Sequence, residues 1–367
     1  MLRLRRPKLA GDALGAAAFS WQAYKAPMLA PDQWVPDAPV PLARLDASLA
    51  WNAARQKAPR LHDGFAQRMR EELKAKLEDN TIYRLFEARA TDGVPAFTCG
   101  LATYFDHIDS GEALVWEAAQ ARVKAGKKAG QAELLKAMLP HMPLRQKTGP
   151  LDFSTRTCCI GVDTLTVVGF RNRPAVFFMH ERGSGQRGPA EAGNSLHVVP
   201  AGSFQPNAAK DLHHDAEYSV RRNVLRECAE ELFDKEDLMQ ASQRLSPDRI
   251  FEKDPELHVL KGMFDDGGIT QWYLGSFIDP LTLKVEVLTL LLVDGDRLAD
   301  SFEALRDGWE GHHDQYPFTV EELDDVQAQP RLLPAGQAAL ILGIRHYGWI
   351  QQKLAAQLAA QAPATVA

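Results

Sequence analysis

The pattern of apolar and polar positions predicts a mainly helical first part of the chain. Residues 46–80 carry apolar side chains at four-residue spacing, as an amphipathic helix does. Residues 82–89 alternate like a half-buried strand, and the capping-box pattern at 109–112 predicts the start of another helix. Residues 27–41 are rich in proline and predict extended chain on the surface. We therefore expect a mixed, mainly helical N-terminal domain.

Beyond the prolines between residues 140 and 150 the pattern becomes that of a sheet. Apolar runs rich in β-branched and aromatic residues predict strands over 163–170, 174–180, 196–199, 257–264, 270–277 and 285–293. One long helix, over 215–234, is predicted among them. Short strands around a central helix indicate an α+β fold with a mixed sheet.

The prolines near residue 150 also predict a domain boundary. We expect an N-terminal domain over 1–150, a second domain over 151–346 and a helical tail over 347–367. Pro334 is well placed at the start of a helix. An apolar stripe in the tail fits either packing or a contact between copies, so a homo-oligomer stays open.

The helix over 215–234 concentrates the chemistry of the chain. It contains no Gly or Pro, and Asp215 is a candidate N-cap. At about 100° per residue, its apolar residues fall on one side and three glutamates on the other. The glutamates are Glu227, Glu230 and Glu231. Stacked carboxylates repel one another unless a cation lies among them, and Mg²⁺ takes oxygen ligands of this kind. The alternative is a solvated acidic face.

The same helix resembles the second half of the Nudix box. Arg226, Glu227, Cys228, Glu230 and Glu231 match its Arg-Glu-aliphatic-any-Glu-Glu pattern. The segment 196–202, which ends in a glycine, is similar to the strand and loop that enter the box. The spacing from this glycine to the box arginine is about ten residues longer than in the family pattern. Tyr218 and Phe233 stand where the family has Glu and Gly.

This resemblance implies a fold, a cofactor and a site. The fold is an α/β/α sandwich with a mixed sheet. The cofactor is Mg²⁺ or Mn²⁺, held by the three glutamates, with Glu227 and Glu231 also catalytic and Arg226 orienting a glutamate. Candidate substrate-binding residues are Gly202, Phe204 and Glu217. The resemblance further implies hydrolysis of a phosphoanhydride bond in a substrate linked to a nucleoside diphosphate.

A second hypothesis keeps the fold without the catalysis. The departures at Tyr218 and Phe233 favour a Nudix-like domain that binds a nucleotide-derived ligand as a sensor, or that serves as an interaction module. The intact set of three glutamates favours the hydrolase. A second polar segment, His312-His313-Asp314, is a further candidate for substrate contact.

Composition and charge limit which classes of binding partner and which cellular compartment we expect. The chain has 367 residues, of which 45% are hydrophobic and 25% charged, as in an ordinary globular protein. A net charge of −6 makes a nucleic-acid partner unfavourable. The four cysteines show neither metal spacing nor a disulfide framework, and we interpret them as reduced core residues. No stretch is apolar enough for a membrane span, so we expect a cytoplasmic protein without membrane contact.

Overall fold

The computed structural model describes most of the chain and shows an α+β fold around a large mixed sheet. The described residues are 16–31, 33–52, 58–72, 77–91, 93–127, 130–182, 195–206, 217–233, 235, 251–301 and 311–361. Within these ranges no helix combines the length and the apolar character needed to cross a bilayer.

The large sheet is built from both halves of the chain. Its strands are β1 Ala16–Trp21, β2 Tyr24–Pro31, β3 Val40–Pro41, β7 Ile160–Gly169, β8 Val176–Arg182, β9 Leu196–Val198, β10 Ala201–Ser203, β11 Ile269–Ile278, β12 Val285–Asp294 and β13 Gly311–Pro317. The order is β1-β2-β11-β12-β7-β8-β13, with β3 on β11, β9 on β8 and β10 on β7. The parallel pair β7 and β12 lies at its centre, and every residue of both strands is buried. Near-continuous apolar runs suit strands that are covered on both faces.

A smaller sheet lies in the N-terminal half. Its strands are β4 Ala50–Trp51, β5 Thr81–Thr91 and β6 Val94–Thr103, in the order β4-β6-β5. The hairpin of β5 and β6 is joined to the large sheet through backbone hydrogen bonds from Tyr83 N to Phe204 O, 3.2 Å, and from Leu85 N to Cys158 O, 2.9 Å. The two sheets are therefore physically connected beside β7 and β10.

Helices cover both faces of the large sheet. The α-helices of the described residues are α1 Leu42–Ser48, α2 Phe65–Glu72, α3 Tyr104–Ile108, α4 Gly111–Ala125, α5 Gln131–Met138, α6 Val220–Glu227, α7 Pro255–Asp266, α8 Gly295–Ser301, α9 Val320–Gln327, α10 Pro334–Arg345 and α11 Tyr347–Ala360, of which α2 to α5 form smaller clusters of their own. Helices α6 and α7 pack in a core with Val162 and Val287. Helix α10 packs in a second core with Leu165 and Leu288. Alternate residues of each central strand thus serve opposite faces.

Much of the prediction for the second half is confirmed. Strands occur where the runs at 163–170, 174–180, 270–277 and 285–293 predict them, and α10 begins at Pro334. The run 257–264 is an exception, since it lies in helix α7 rather than in a strand. Asp254 caps that helix by accepting from Glu256 N and Leu257 N, and Pro255 is at its first position. These start signals outweigh the apolar run.

The mainly helical N-terminal domain is not confirmed. Strands β1, β2 and β3 belong to the large sheet, so residues 27–41 contribute strands and buried side chains rather than a surface strap. The helix expected over 46–80 is replaced by α1 and α2, with other structure between them. The helix expected from the capping box at 109–112 is present as α4. The domain boundaries near 150 and 346 stay predictions.

Two buried arginines fasten the chain around residue 150 to the turn between β11 and β12. Arg145 donates to the carbonyls of Pro280, at 2.7 Å, and Leu281. Arg156 donates to Leu283 O and Pro150 O at 2.9 Å each, and its side chain is fully buried. Backbone carbonyls thus supply the acceptors that a buried guanidinium needs. Burial lowers the pKa of both groups, that of Arg145 to about 10.

Candidate functional site

The glycine of β10 makes room for a glutamate. Strand β10 runs antiparallel to β7, with Gly202 opposite Val162. A Cβ atom on Gly202 would lie 2.3 Å from the carboxyl carbon and from both carboxylate oxygens of Glu227. Any side chain at 202 would therefore collide with this carboxylate. The structure brings together the predicted loop glycine and the first box glutamate, which are far apart in sequence.

The helix that carries the glutamates begins later than predicted. Helix α6 starts at Val220, and the Ser219 side chain accepts from Arg222 N at 3.2 Å. Asp46 of helix α1 accepts from Val220 N at 2.7 Å and from the Ser219 hydroxyl at 2.6 Å. The helix start is thus capped from the N-terminal region. The predicted N-cap, Asp215, lies outside the described residues.

The helix is also not α-helical throughout. After Glu227 the chain forms a π-helical turn over Cys228–Leu232, which contains Glu230 and Glu231. This turn is wider than an α-helical turn, and such turns are frequent at functional sites. Simple 100° spacing therefore does not describe the second part of the box. The prediction of one uninterrupted α-helix over 215–234 is wrong in this respect.

Arg226 holds two of the glutamates. Its Nη2 donates to Glu227 Oε1 at 2.5 Å, and its Nη1 donates to Glu230 Oε2 at 3.0 Å. Nη2 also donates to Asn223 Oδ1 and to Ser203 O. Burial works to lower the pKa of Arg226, but the charges of Glu227 and Glu230 outweigh it and raise the pKa above its ordinary value. Arg226 therefore holds the carboxylates of Glu227 and Glu230 in place, and its part in catalysis stays a prediction.

Glu231 is fixed by the loop instead of by the arginine. Its Oε2 accepts a hydrogen bond from Ala201 N at 2.7 Å, and its side chain is buried. Its backbone carbonyl accepts from His313 Nε2 at 2.8 Å, and His313 Nδ1 lies 3.1 Å from Nδ1 of His180. The polar segment 312–314 thus reaches the box through His313. It contacts the backbone of the π-helical turn.

Glu217 and Phe204 occupy different surroundings. Glu217 is buried, and its charge contributes to the raised pKa of Arg226, so it lies on the arginine side of the site. Phe204 has no exposed surface and packs against Tyr83, with ring centroids 4.6 Å apart, and against Tyr218, at 5.4 Å. Phe204 therefore packs in the core beside Tyr83 and Tyr218 and supports the loop that follows β10. Its assignment to substrate binding stays a prediction, as does that of Glu217.

Tyr218, which stands where the family has a glutamate, belongs to an aromatic cluster. Its ring lies 5.0 Å from that of Tyr83 and 5.2 Å from that of Trp51, and its hydroxyl donates to Ala50 O at 3.3 Å. Position 218 therefore serves packing between α6 and the smaller sheet. The carboxylate one residue earlier, Glu217, is the one near Arg226.

The donor chemistry of the site suits a hard divalent cation. Carboxylate oxygens are the ligands that Mg²⁺ and Mn²⁺ take, and Gly202 leaves space beside that of Glu227. In the parts of the chain that the structure describes, however, no three His, Cys, Asp or Glu side chains are grouped so that they could hold a metal ion. Arg226 and the Ala201 amide hold the carboxylates in this state.

Some predictions concern residues outside the described ranges. Some contacts of the site, in turn, have no recognisable signal in the sequence. The residues 207–214, part of the longer spacing before the box, fall outside the described ranges. The capping role of Asp46 and the amide of Ala201 depend on tertiary contacts, which no local pattern announces. The four cysteines are free and buried, as predicted, and burial raises the pKa of Cys228 far above its ordinary value.

Comparisons with known proteins give little support to any family. No protein-family model matches the chain, and no curated protein matches it. One similar solved structure is a Nudix hydrolase from M. Smegmatis, RenU, at 12% identity, with a TM-score of 0.26. The match covers 53% of this chain and 86% of that chain. A TM-score this low carries no argument, so the site rests on its own geometry.

Proposed function

We propose that the protein is a divalent-cation-dependent hydrolase of a phosphoanhydride bond in a nucleoside-diphosphate-linked substrate. The observation that carries the proposal is that the Glu227 carboxylate occupies the place of a side chain at Gly202, where a Cβ atom would lie 2.3 Å from it. A glycine kept free for a carboxylate, beside two further glutamates on the same turn, is more specific than an acidic helix face.

Glu227, Glu230 and Glu231 would hold Mg²⁺ or Mn²⁺. The bound cation would offset the charge of the phosphates and lower the pKa of an attacking water. Arg226 keeps the carboxylates of Glu227 and Glu230 in place, and the Ala201 amide does so for Glu231. In this state the three carboxylates are not grouped around one point, so binding a cation would require them to move towards one another. A proton taken from water would go to Glu227 or Glu231, the two predicted catalytic carboxylates.

The alternative is a nucleotide-ligand sensor that does not turn over. Two features favour it: Arg226 already forms ion pairs with two of the three carboxylates, and Tyr218 has an aromatic packing role where the family has a glutamate. Both hypotheses assign the ligand to the same loop and helix. They differ in whether the bound ligand is hydrolysed.

The test is release of phosphate or nucleoside monophosphate from a panel of dinucleotides, nucleotide sugars and nucleoside triphosphates, with and without Mg²⁺. The wild-type protein is compared with Glu230→Gln/Glu231→Gln and with Glu321→Gln, a matched change of an exposed glutamate on α9. We expect turnover in the wild type and in Glu321→Gln, and its loss in the double variant. Absence of turnover in all three, with a panel member raising the melting temperature of the wild type, would replace the hydrolase by the sensor.

A further inference from the structure

Arg84, on strand β5, is a buried cation that forms no salt bridge with any of the described residues. Its residue is 3% exposed, and it lies opposite Gly100 on β6 and beside Cys159, with which it forms an isolated backbone bridge. Its Nε and Nη1 atoms are buried and have no hydrogen-bond acceptor among the residues that the structure describes. The ring of Phe86 lies 4.4 Å from the guanidinium carbon.

A guanidinium stays charged at any ordinary pH, so it cannot escape burial by losing its proton. Buried charges in proteins are therefore paired or hydrogen-bonded. Other arginines with buried donor atoms among the described residues follow that rule through their Nη atoms, although Nε of Arg145 and of Arg156 has no acceptor either. Arg226 has two carboxylates, and Arg145 and Arg156 each donate to backbone carbonyls through their Nη atoms. Stacking on one phenylalanine ring replaces only a part of such an environment.

The nearby carboxylate is already engaged. Asp106 acts on Arg84 through space, but its Oδ1 accepts from Arg60 Nε at 2.6 Å and its Oδ2 accepts from Thr103 N at 2.9 Å. Arg60 also donates to Asp109. Burial lowers the pKa of Arg84, and the attraction of Asp106 offsets this lowering only in part. Within the described part of the chain, Nε and Nη1 of Arg84 thus remain donors without an acceptor.

We propose that Arg84 binds a phosphoryl group at the junction of the β5–β6 hairpin with the first residues of β7. Two donors on different nitrogen atoms call for at least two acceptor oxygens, and a phosphoryl group carries them on one compact anion. The ring of Phe86 lies against the guanidinium, and Gly100 makes room for that ring, because a Cβ on Gly100 would lie 2.6 Å from it. This inference does not rest on the proposed function, because the glutamates lie on a different element.

The test measures melting temperature in inorganic phosphate against chloride at equal ionic strength and fixed pH. The variants are Arg84→Met, Arg84→Lys and, as a matched control on the same strand, Arg89→Met, whose arginine is exposed and pairs with Glu87. Phosphate should raise the melting temperature of the wild type and of Arg89→Met along a saturating curve. Arg84→Met should lose that rise, while in chloride it should melt at or above the wild type, since an uncompensated buried charge has been removed. Arg84→Lys should show a weaker rise.

Any one of the following results would overturn the proposal. One is an equal phosphate effect in Arg84→Met, and another is a wild type that does not respond to phosphate. The third is a strong loss of stability of Arg84→Met in chloride with the phosphate effect of Arg84→Lys unchanged, which would make Arg84 a structural residue. An equal rise in acetate would contradict the assignment to a phosphoryl group. The Glu230→Gln/Glu231→Gln variant should keep the phosphate effect, and its loss there would move the anion to the glutamate site.

Discussion

Arg226 and Arg84 are both buried, but they lie in opposite surroundings. Arg226 donates to Glu227 and Glu230 from within the glutamate helix, and Arg84 lies in the hairpin next to an aromatic ring with no such carboxylate among the described residues. A paired buried charge is costly to break, and an unpaired one is costly to keep. The first arrangement is complete within the chain, whereas the second calls for a ligand.

The largest effect should come from removing the paired arginine. Arg226→Met takes the guanidinium from the buried carboxylates of Glu227 and Glu230, and we expect a loss of about 3–5 kcal/mol in the free energy of unfolding. Arg84→Met, the parallel change at the other site, should be neutral or stabilising. Urea unfolding in the presence of EDTA measures both. Equal losses in the two variants would remove the distinction between the sites.

A smaller loss of stability is expected from substituting Gly202, the glycine beside the Glu227 carboxylate. Gly202→Ala should cost about 1–3 kcal/mol, because the added methyl group overlaps the Glu227 carboxylate, and should also abolish metal-dependent turnover. Gly262→Ala is the control, since a Cβ there meets nothing within 4 Å and the residue lies inside helix α7. That substitution should stabilise the protein by up to about 1 kcal/mol. Equal unfolding midpoints for the two variants would show that Gly202 is not specifically required.

Removing the cap that Asp46 supplies to helix α6 should lower the free energy of unfolding by a smaller amount. Asp46→Ala removes the acceptor for Val220 N and for the Ser219 hydroxyl, and we expect a loss of about 1 kcal/mol. Asp46→Asn retains a capping oxygen and should recover most of that loss. Urea unfolding of the two variants tests this contact between α1 and α6. No difference between them and the wild type would mean that Ser219 alone is a sufficient cap.

The smallest expected effect concerns a buried base that, unlike Arg84, can lose its proton. Burial, with a contribution from Arg345, lowers the pKa of His346 to about 4 from its ordinary value of 6.5. Between these values the unfolded chain binds a proton that the folded chain does not, so stability should fall as pH falls from 6.5 to 4. We expect about 1 kcal/mol over this window after allowing for solvent screening. His346→Gln should flatten that part of the stability–pH curve, and an unchanged curve would contradict the assignment.

The sequence predicted elements with a strong local signal and missed those set by distant contacts. Pro334 starts α10 as expected, and the glutamate helix with its preceding glycine strand was recognised. The apolar run 257–264 was misassigned because periodicity alone does not separate a short buried strand from a helix, although Asp254 and Pro255 are start signals.

Other features of the site cannot be predicted from local sequence patterns. The π-helical turn at Cys228–Leu232 changes the direction of Glu230 and Glu231 without a mark in the sequence. The cap from Asp46 and the anchor at the Ala201 amide join residues far apart along the chain. Strands β1 to β3 join the sheet of the second half through tertiary contacts, so the proline-rich segment that predicts surface chain contributes strands instead.

The most direct test of the cation site is binding of Mn²⁺, followed by electron paramagnetic resonance on the wild type and on Glu230→Gln/Glu231→Gln. We predict saturable binding by the wild type and a loss of affinity of about 10-fold or more in the double variant, with both proteins folded by circular dichroism. Glu321→Gln should bind as the wild type does. Equal affinity in the wild type and the double variant, or no binding to the wild type, would contradict the assignment of these glutamates to a metal-dependent hydrolase.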